Sequence, residues 1–227
     1  MKNVILKRKY IETAFEIVKN EGRSGVTIRR LAKILNCNIA SLYRCFHDLD
    51  DLFLYTGMKY IEEYLRDLRV VLDQPYECLE MYLQVWSCFI DHAFQDPKMY
   101  NTIFFGKYSR KLEYVTSEYF TDLFPDELAQ FDEETREILM KGSLEGGDST
   151  ISKLLIKCVK EGVVGEDVRL CLDRLFLQIF KGYLKDFIDG RRSHESNEEA
   201  KKELIYYIRN IMNHYKTSNN REEQSYG

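Results

Sequence analysis

The sequence predicts an all-α protein in two parts: an N-terminal three-helix domain with a helix-turn-helix, then a larger helical domain. Three observations predict this. The 227 residues contain only three Pro and twelve Gly, so long stretches run without a helix breaker. Apolar residues recur at i, i+3, i+4 and i+7 along much of the chain, the period of an amphipathic helix. Charge is also unevenly shared. Residues 1–48 hold ten Lys or Arg against four Asp or Glu, whereas the whole chain carries 33 against 37. A basic front end on an acidic chain is the electrostatic footprint of a module that faces nucleic acid.

The first predicted helix covers residues 3–21, with Ile11, Ala14, Phe15 and Val18 as its stripe and Gly22 as its C-terminal cap. Lys2, Lys7, Arg8 and Lys9 lie at its start, where they read equally as phosphate contacts or as a solvated face. Ile28, Leu31, Ala32 and Leu35 form the next stripe, and Thr27 stands where it can cap the free amides of that helix. Asn36, Cys37 and Asn38 interrupt the pattern. A second short run follows, with Leu42 and Phe46 four apart and Asn38 as its N-cap. Two helices of about two turns each bury little alone, and pack together as a helix-turn-helix whose second helix suits a major groove. Arg29, Arg30 and Lys33 fall off the apolar face of the first helix; Ile39, Ala40, Ser41, Tyr43 and Arg44 fall off that of the second.

The residues T-I-R-x-L-A from Thr27, L-N-C-N-I-A-S-L-Y-R-C-F from Leu35 and D-L-D-D-L-F from Asp48 resemble the DNA-binding segment of the tetracycline-repressor (TetR) family of bacterial regulators. The resemblance covers residues 4–55, about a quarter of the chain. Asn36, Asn38 and Ala40 replace the family's commoner Gly, Ser and Gly; Leu49 stands where many members carry a phosphate-contacting Lys, and Cys45 where Tyr or His is usual. The resemblance implies that Thr27 and Arg29 meet the groove edge, and that Asn38, Ile39, Ala40, Ser41, Tyr43 and Arg44 lie on the reading helix with His47 just beyond. It also implies a homodimeric, ligand-responsive repressor on a palindromic double-stranded operator, with a DNA-binding domain over 1–48 and a ligand-binding and dimerisation domain over 49–216.

Asp48, with Asp51 three positions on, resembles a capping box that starts a long helix over residues 49–72. Pro75 opens a predicted helix to Gln95, and Pro97 opens the next. Residues 76–124 are dense in aromatic side chains, which read equally as core or as the lining of a cavity for an apolar or aromatic effector. The candidate ligand-binding residues are Tyr64, Tyr82, Trp86, Phe89, Phe104, Phe105 and Tyr108. The acidic stretch 125–149 contains a short helix at 132–141 and a flexible joint at Gly146-Gly147. Helices follow at 150–161 and 167–188, the second apolar on more than one face, as a helix at the centre of a fold or at a subunit interface must be. In the family the equivalent pair forms a dimer bundle, which would put Phe176 and Phe180 at the interface. A last helix spans 197–216, and the tail 217–227 is expected to be loose.

No apolar run approaches the length that spans a bilayer, and no signal-peptide core follows Lys7, Arg8 and Lys9, so the expected location is the cytoplasm. The six cysteines form no CxxC pair and are expected as buried, reduced thiols. No nucleophile–base pairing, Gly-rich phosphate loop or metal cluster is visible, so neither an enzyme nor a cofactor is expected. The alternative function is a helical interaction module whose DNA head has degenerated.

Overall fold

The computed structural model describes residues 2–141 and 149–223, and among these every regular element is helical. Twelve α-helices follow in order: α1 Lys2–Glu21, α2 Ile28–Ile34, α3 Ala40–Tyr43, α4 Leu49–Leu72, α5 Cys78–Gln95, α6 Pro97–Phe105, α7 Leu112–Glu118, α8 Pro125–Ala129, α9 Glu133–Lys141, α10 Thr150–Lys160, α11 Glu166–Ile188 and α12 Asn197–Glu223. A π turn over Tyr119–Leu123 continues α7. The Gly146-Gly147 joint and residues 224–227 of the tail lie outside the described residues, whereas α12 runs past 216 to Glu223. Pro75 precedes α5 rather than opening it, because the helix begins at Cys78.

The chain divides into two compact units. The first gathers the described residues up to Glu63 and from Met99 through α9; the second gathers Tyr64 to Lys98 and Ser149 onward. In the first unit α1 is wholly buried along Tyr10, Ile11 and Ala14 and packs on α2 and the π turn. The first half of α4 adds Leu52, Leu54 and Met58, all fully buried. Gly57 is required there by close approach. A Cβ on it would lie 2.5 Å from Ile103 Cγ1 of α6, whose side chain is itself fully buried. The buried Glu62 carboxylate, 4% exposed, accepts from Tyr119 Oη at 2.9 Å.

The second unit is built round α5, which packs against α10, α11 and α12. Its aromatic side chains meet those of α11 ring to ring. Trp86 and Phe180 centroids are 5.9 Å apart, Phe89 and Phe180 5.0 Å, and Tyr82 and Phe176 6.3 Å. Ion pairs close the edge toward α12, with Asp91 to Lys201 at 2.6 Å and Glu80 to Arg209 at 2.9 Å. Phe176 and Phe180 are fully buried inside this core, which corrects their expected place at an interface. The two-sided apolar pattern of α11 has a different origin: Leu172, Phe176, Phe180 and Leu184 point inward, while Leu170, Cys171 and Leu175 stay exposed.

All six cysteines are free thiols. Cys78, Cys88 and Cys158 are buried as expected, but Cys37 and Cys45 are half-buried and Cys171 is exposed. Among the described residues no helix is long and apolar enough to cross a membrane.

Two substitutions test this packing. Trp86→Ala should destabilise the protein by about 3–5 kcal/mol, the usual cost of removing a large buried ring. Gly57→Ala should cost about 1–3 kcal/mol by forcing α4 and α6 apart. Urea midpoints at constant m-value measure both.

Candidate nucleic-acid interface

The segment from Thr27 to Asp51 is assembled by local hydrogen bonds that its residue types dictate. Thr27 has extended backbone, and its Oγ1 accepts from the Arg30 N–H at 3.2 Å, capping α2. At the other end of α2 the Cys37 N–H donates to Ala32 O at 2.9 Å and the Asn36 N–H to Lys33 O at 3.3 Å. This closure needs a left-handed residue, and Asn36 supplies it with φ +48°. Asn is the non-glycine residue that adopts this conformation most readily, so the chain turns here without Gly.

Asn38 caps the next helix. Its Oδ1 accepts from the Ser41 N–H at 3.0 Å, and Ile39 already has helical dihedrals, so the helical backbone begins one residue before α3 itself. The helix is shorter than expected, four residues against about two turns. A helix that short has no stability of its own, and α1 holds it in place. Ser41 Oγ donates to Asn38 O at 2.6 Å and accepts from Tyr10 Oη, also at 2.6 Å; Tyr10 Oη lies 2.9 Å from Cys37 Sγ. One phenol of α1 thus ties the turn and α3 together. Burial pushes the Tyr10 hydroxyl up to about 12, with Cys37 adding to the shift.

The capping box at the start of α4 forms with a changed partner. The Asp51 N–H donates to Asp48 Oδ1 at 3.0 Å, while Asp51 Oδ2 accepts from the His47 N–H at 2.9 Å rather than from that of Asp48. Asp48 also accepts from Lys107 Nζ at 2.7 Å and Tyr108 Oη at 2.9 Å. Burial opposes ionisation of Asp48, but these donors outweigh it and hold the carboxyl down at about 2.

Of the candidate DNA-binding residues, Thr27, Arg29, Asn38, Ile39, Ala40, Tyr43, Arg44 and His47 are each exposed. Ser41 is not, at 2% exposed. Its hydroxyl is spent on Tyr10 and Asn38, which corrects its expected place on the reading face. Lys7 is likewise drawn inward: it pairs with Glu118 at 2.8 Å and sits 3.9 Å above the centre of the Tyr55 ring. Arg30 turns back to Glu21 at 2.6 Å and to Gly25 O at 3.1 Å.

The candidate ligand-binding residues fall in both units. Tyr64, Tyr82, Trp86 and Phe89 belong to the second, where Tyr82, Trp86 and Phe89 are at most 1% exposed and Tyr64 meets Phe89 edge to face at 5.4 Å. A cleft of about 550 Å³ in that unit is lined instead by Ser87, Asp91, His92, Asn197 and Lys201, among others. Phe104, Phe105 and Tyr108 belong to the first unit. Tyr108 stacks on His47 at 6.1 Å beside the turn between α3 and α4, a placement whose signal in the sequence is the basic run 107–111 around it. Among the described residues no three His, Cys, Asp or Glu side chains gather as a metal site. No protein-family model matches the chain, and a search of curated proteins finds no match.

The capping geometry makes two predictions. Tyr10→Phe removes the donor to Ser41 and should cost about 0.5–1.5 kcal/mol in urea unfolding while leaving the outer residues in place. Asp48 has a folded pKa below its unfolded value, so its stabilisation is complete above about pH 4 and is lost as pH falls through about 2. The stability difference between wild type and Asp48→Asn should therefore shrink across that window and stay constant above it, as read from denaturation midpoints at a series of pH values.

Proposed function

We propose that the protein is a DNA-binding transcriptional regulator of the tetracycline-repressor kind, a homodimer that recognises a palindromic duplex and releases it when a small molecule binds. The observation that carries this reading is the division of the Thr27–Arg44 segment into two faces. Leu31, Ala32, Ser41 and Leu42 point inward and make the fold, whereas Arg29, Ile39, Ala40, Tyr43 and Arg44 are exposed on a short helix pair. A solvated helix gains nothing from exposing Ile39 at 43% and Tyr43 at 54%. Against a groove those same side chains gain contact with thymine methyls and sugars, and Arg29 and Arg44 gain guanine edges or phosphates. The candidate contacts are then Thr27, Arg29, Asn38, Ile39, Ala40, Tyr43, Arg44 and His47.

The exposed strip Leu170, Cys171 and Leu175 on α11 supports dimerisation through α10 and α11, because apolar residues in register on a helix favour a partner helix. An effector held in the second unit would act by preferring one spacing of the two heads over the other, by no more than its differential affinity for the two states. The aromatic run of α5 suits an apolar or aromatic effector, and the Tyr82 hydroxyl and Trp86 indole N–H, one turn apart in the core, have no polar partner outside their own pair.

The test is selection of duplexes from a random pool by the purified protein, followed by anisotropy titration of the winner. Enrichment of a two-fold symmetric site is expected, and a pool that stays random sinks the reading. Arg29→Ala should then weaken binding by about 1–3 kcal/mol with the melting temperature unchanged. Leu175→Glu should shift the sedimenting species to a folded monomer; an unchanged wild-type monomer at micromolar concentration would remove the dimer from the proposal.

A further inference from the structure

We infer that the loop between α6 and α7 is a second DNA-contacting element, in which Arg110 and Lys111 hold the phosphate backbone beside the reading helix. This inference rests on the proposed function and names a surface that the helix-turn-helix itself does not contain.

The loop, Gly106-Lys107-Tyr108-Ser109-Arg110-Lys111, carries three cations in five residues, far along the chain from the basic N-terminal segment. It is a tight, bonded turn. The Ser109 N–H donates to Gly106 O at 3.1 Å, the Lys111 N–H donates to Tyr108 O at 2.8 Å, and Ser109–Lys111 form a single 3-10 turn. Gly106 permits it, since a Cβ there would lie 2.5 Å from Thr102 O.

Three contacts fix the loop against the end of the helix-turn-helix. Tyr108 stacks on His47 with 18° between the rings, Tyr108 Oη donates to Asp48, and Lys107 Nζ pairs with the same carboxylate. Lys111 Nζ lies 4.7 Å from the centre of the Tyr108 ring, which carries the stack over to the next cation. Lys111 also shares a cleft of about 240 Å³ with Tyr43, Arg44 and His47, so the loop is continuous with the exposed face of α3.

Charge decides which residues of the loop are available. Asp48, Asp50 and Asp51 lie where the reading segment ends and would repel phosphate if left open. Each is engaged: Asp48 by Lys107, Asp50 by Arg23 at 3.3 Å, and Asp51 by the His47 N–H. Glu118, which also lines the cleft, is held by Lys7 and by the Tyr55 hydroxyl. Lys107 is thereby committed to structure; Arg110 is exposed, and Lys111, half-buried over the Tyr108 ring, opens onto the cleft. A phosphate diester suits them better than a carboxylate partner, because the loop is joined to a surface whose proposed occupant is itself a polyphosphate track.

The experiment compares three proteins on the selected duplex and on an unrelated duplex, with affinity measured from low to moderate salt. They are wild type, Arg110→Gln/Lys111→Gln, and Lys202→Gln/Lys216→Gln, the last removing the same charge from exposed positions on α12. Each phosphate contact contributes about 0.9 to the slope of log affinity against log salt. The loop variant should lose roughly 1–2 from that slope and weaken by the same factor on both duplexes, with its melting temperature unchanged. The α12 variant should keep the wild-type slope. A loop variant with wild-type slope overturns the inference and leaves the proposed function standing, as does an equal loss in both variants, which would mark a general charge effect. Wild type that binds neither duplex overturns both.

Discussion

The fold of the first unit depends on a constraint that α3 cannot meet by itself. Four residues make one turn, and one turn of helix does not persist in water without support. The support is a hydroxyl chain from Tyr10 through Ser41 to the carbonyl of Asn38, with Leu42 and Leu31 fully buried beside it. Because Tyr10 is fixed in α1, the orientation of α3 is inherited from α1 rather than chosen locally. The caps at Thr27, Asn36 and Asn38 then leave the connecting backbone little freedom.

The second unit solves a different problem with the same economy. Its central helix α5 is surrounded by α10, α11 and α12, so it must be apolar on nearly every side, and large rings fill the space between helices. Trp86 meets Phe89 edge to face at 6.2 Å, Phe180 lies tilted against Trp86 and Phe89 at 5.9 and 5.0 Å, and Phe94 stacks nearly parallel on Phe180 at 6.3 Å, the offset geometries that aromatic rings prefer. Charged groups are kept to the edges, where Lys201 and Arg209 of α12 meet Asp91 and Glu80 of α5.

Much of this was legible in the residues. The helix spans follow from the 3.6-residue period, and the caps at Thr27, Asn38 and Asp48 follow from short polar side chains placed just before apolar runs. What failed to show was direction. Ser41 and Tyr43 are both polar enough to sit outside, and nothing local announces that a tyrosine thirty-one positions earlier needs the Ser41 hydroxyl. Phe176 and Phe180 carry the same ambiguity: a helix apolar on two faces does not say which face meets its own core. Tyr108 falls among the aromatic residues expected in the larger domain, because distance along the chain says nothing of distance in space. The chain returns from Met99 onward to the first unit, and the basic run around Tyr108 was the clue to that return.

The inward bonds of Ser41, Leu42 and Asn36 have a consequence for how this surface can change over time. The side-chain hydrogen bonds that hold α3 in place are made by Tyr10, Asn38 and Ser41, whereas the side chains of Ile39, Ala40, Tyr43 and Arg44 are exposed. Substitutions at exposed positions free of such duties usually alter stability by no more than about 0.5 kcal/mol. The outer face of α3 is therefore close to neutral ground for mutation, free to be rewritten residue by residue while the frame beneath it stays the same.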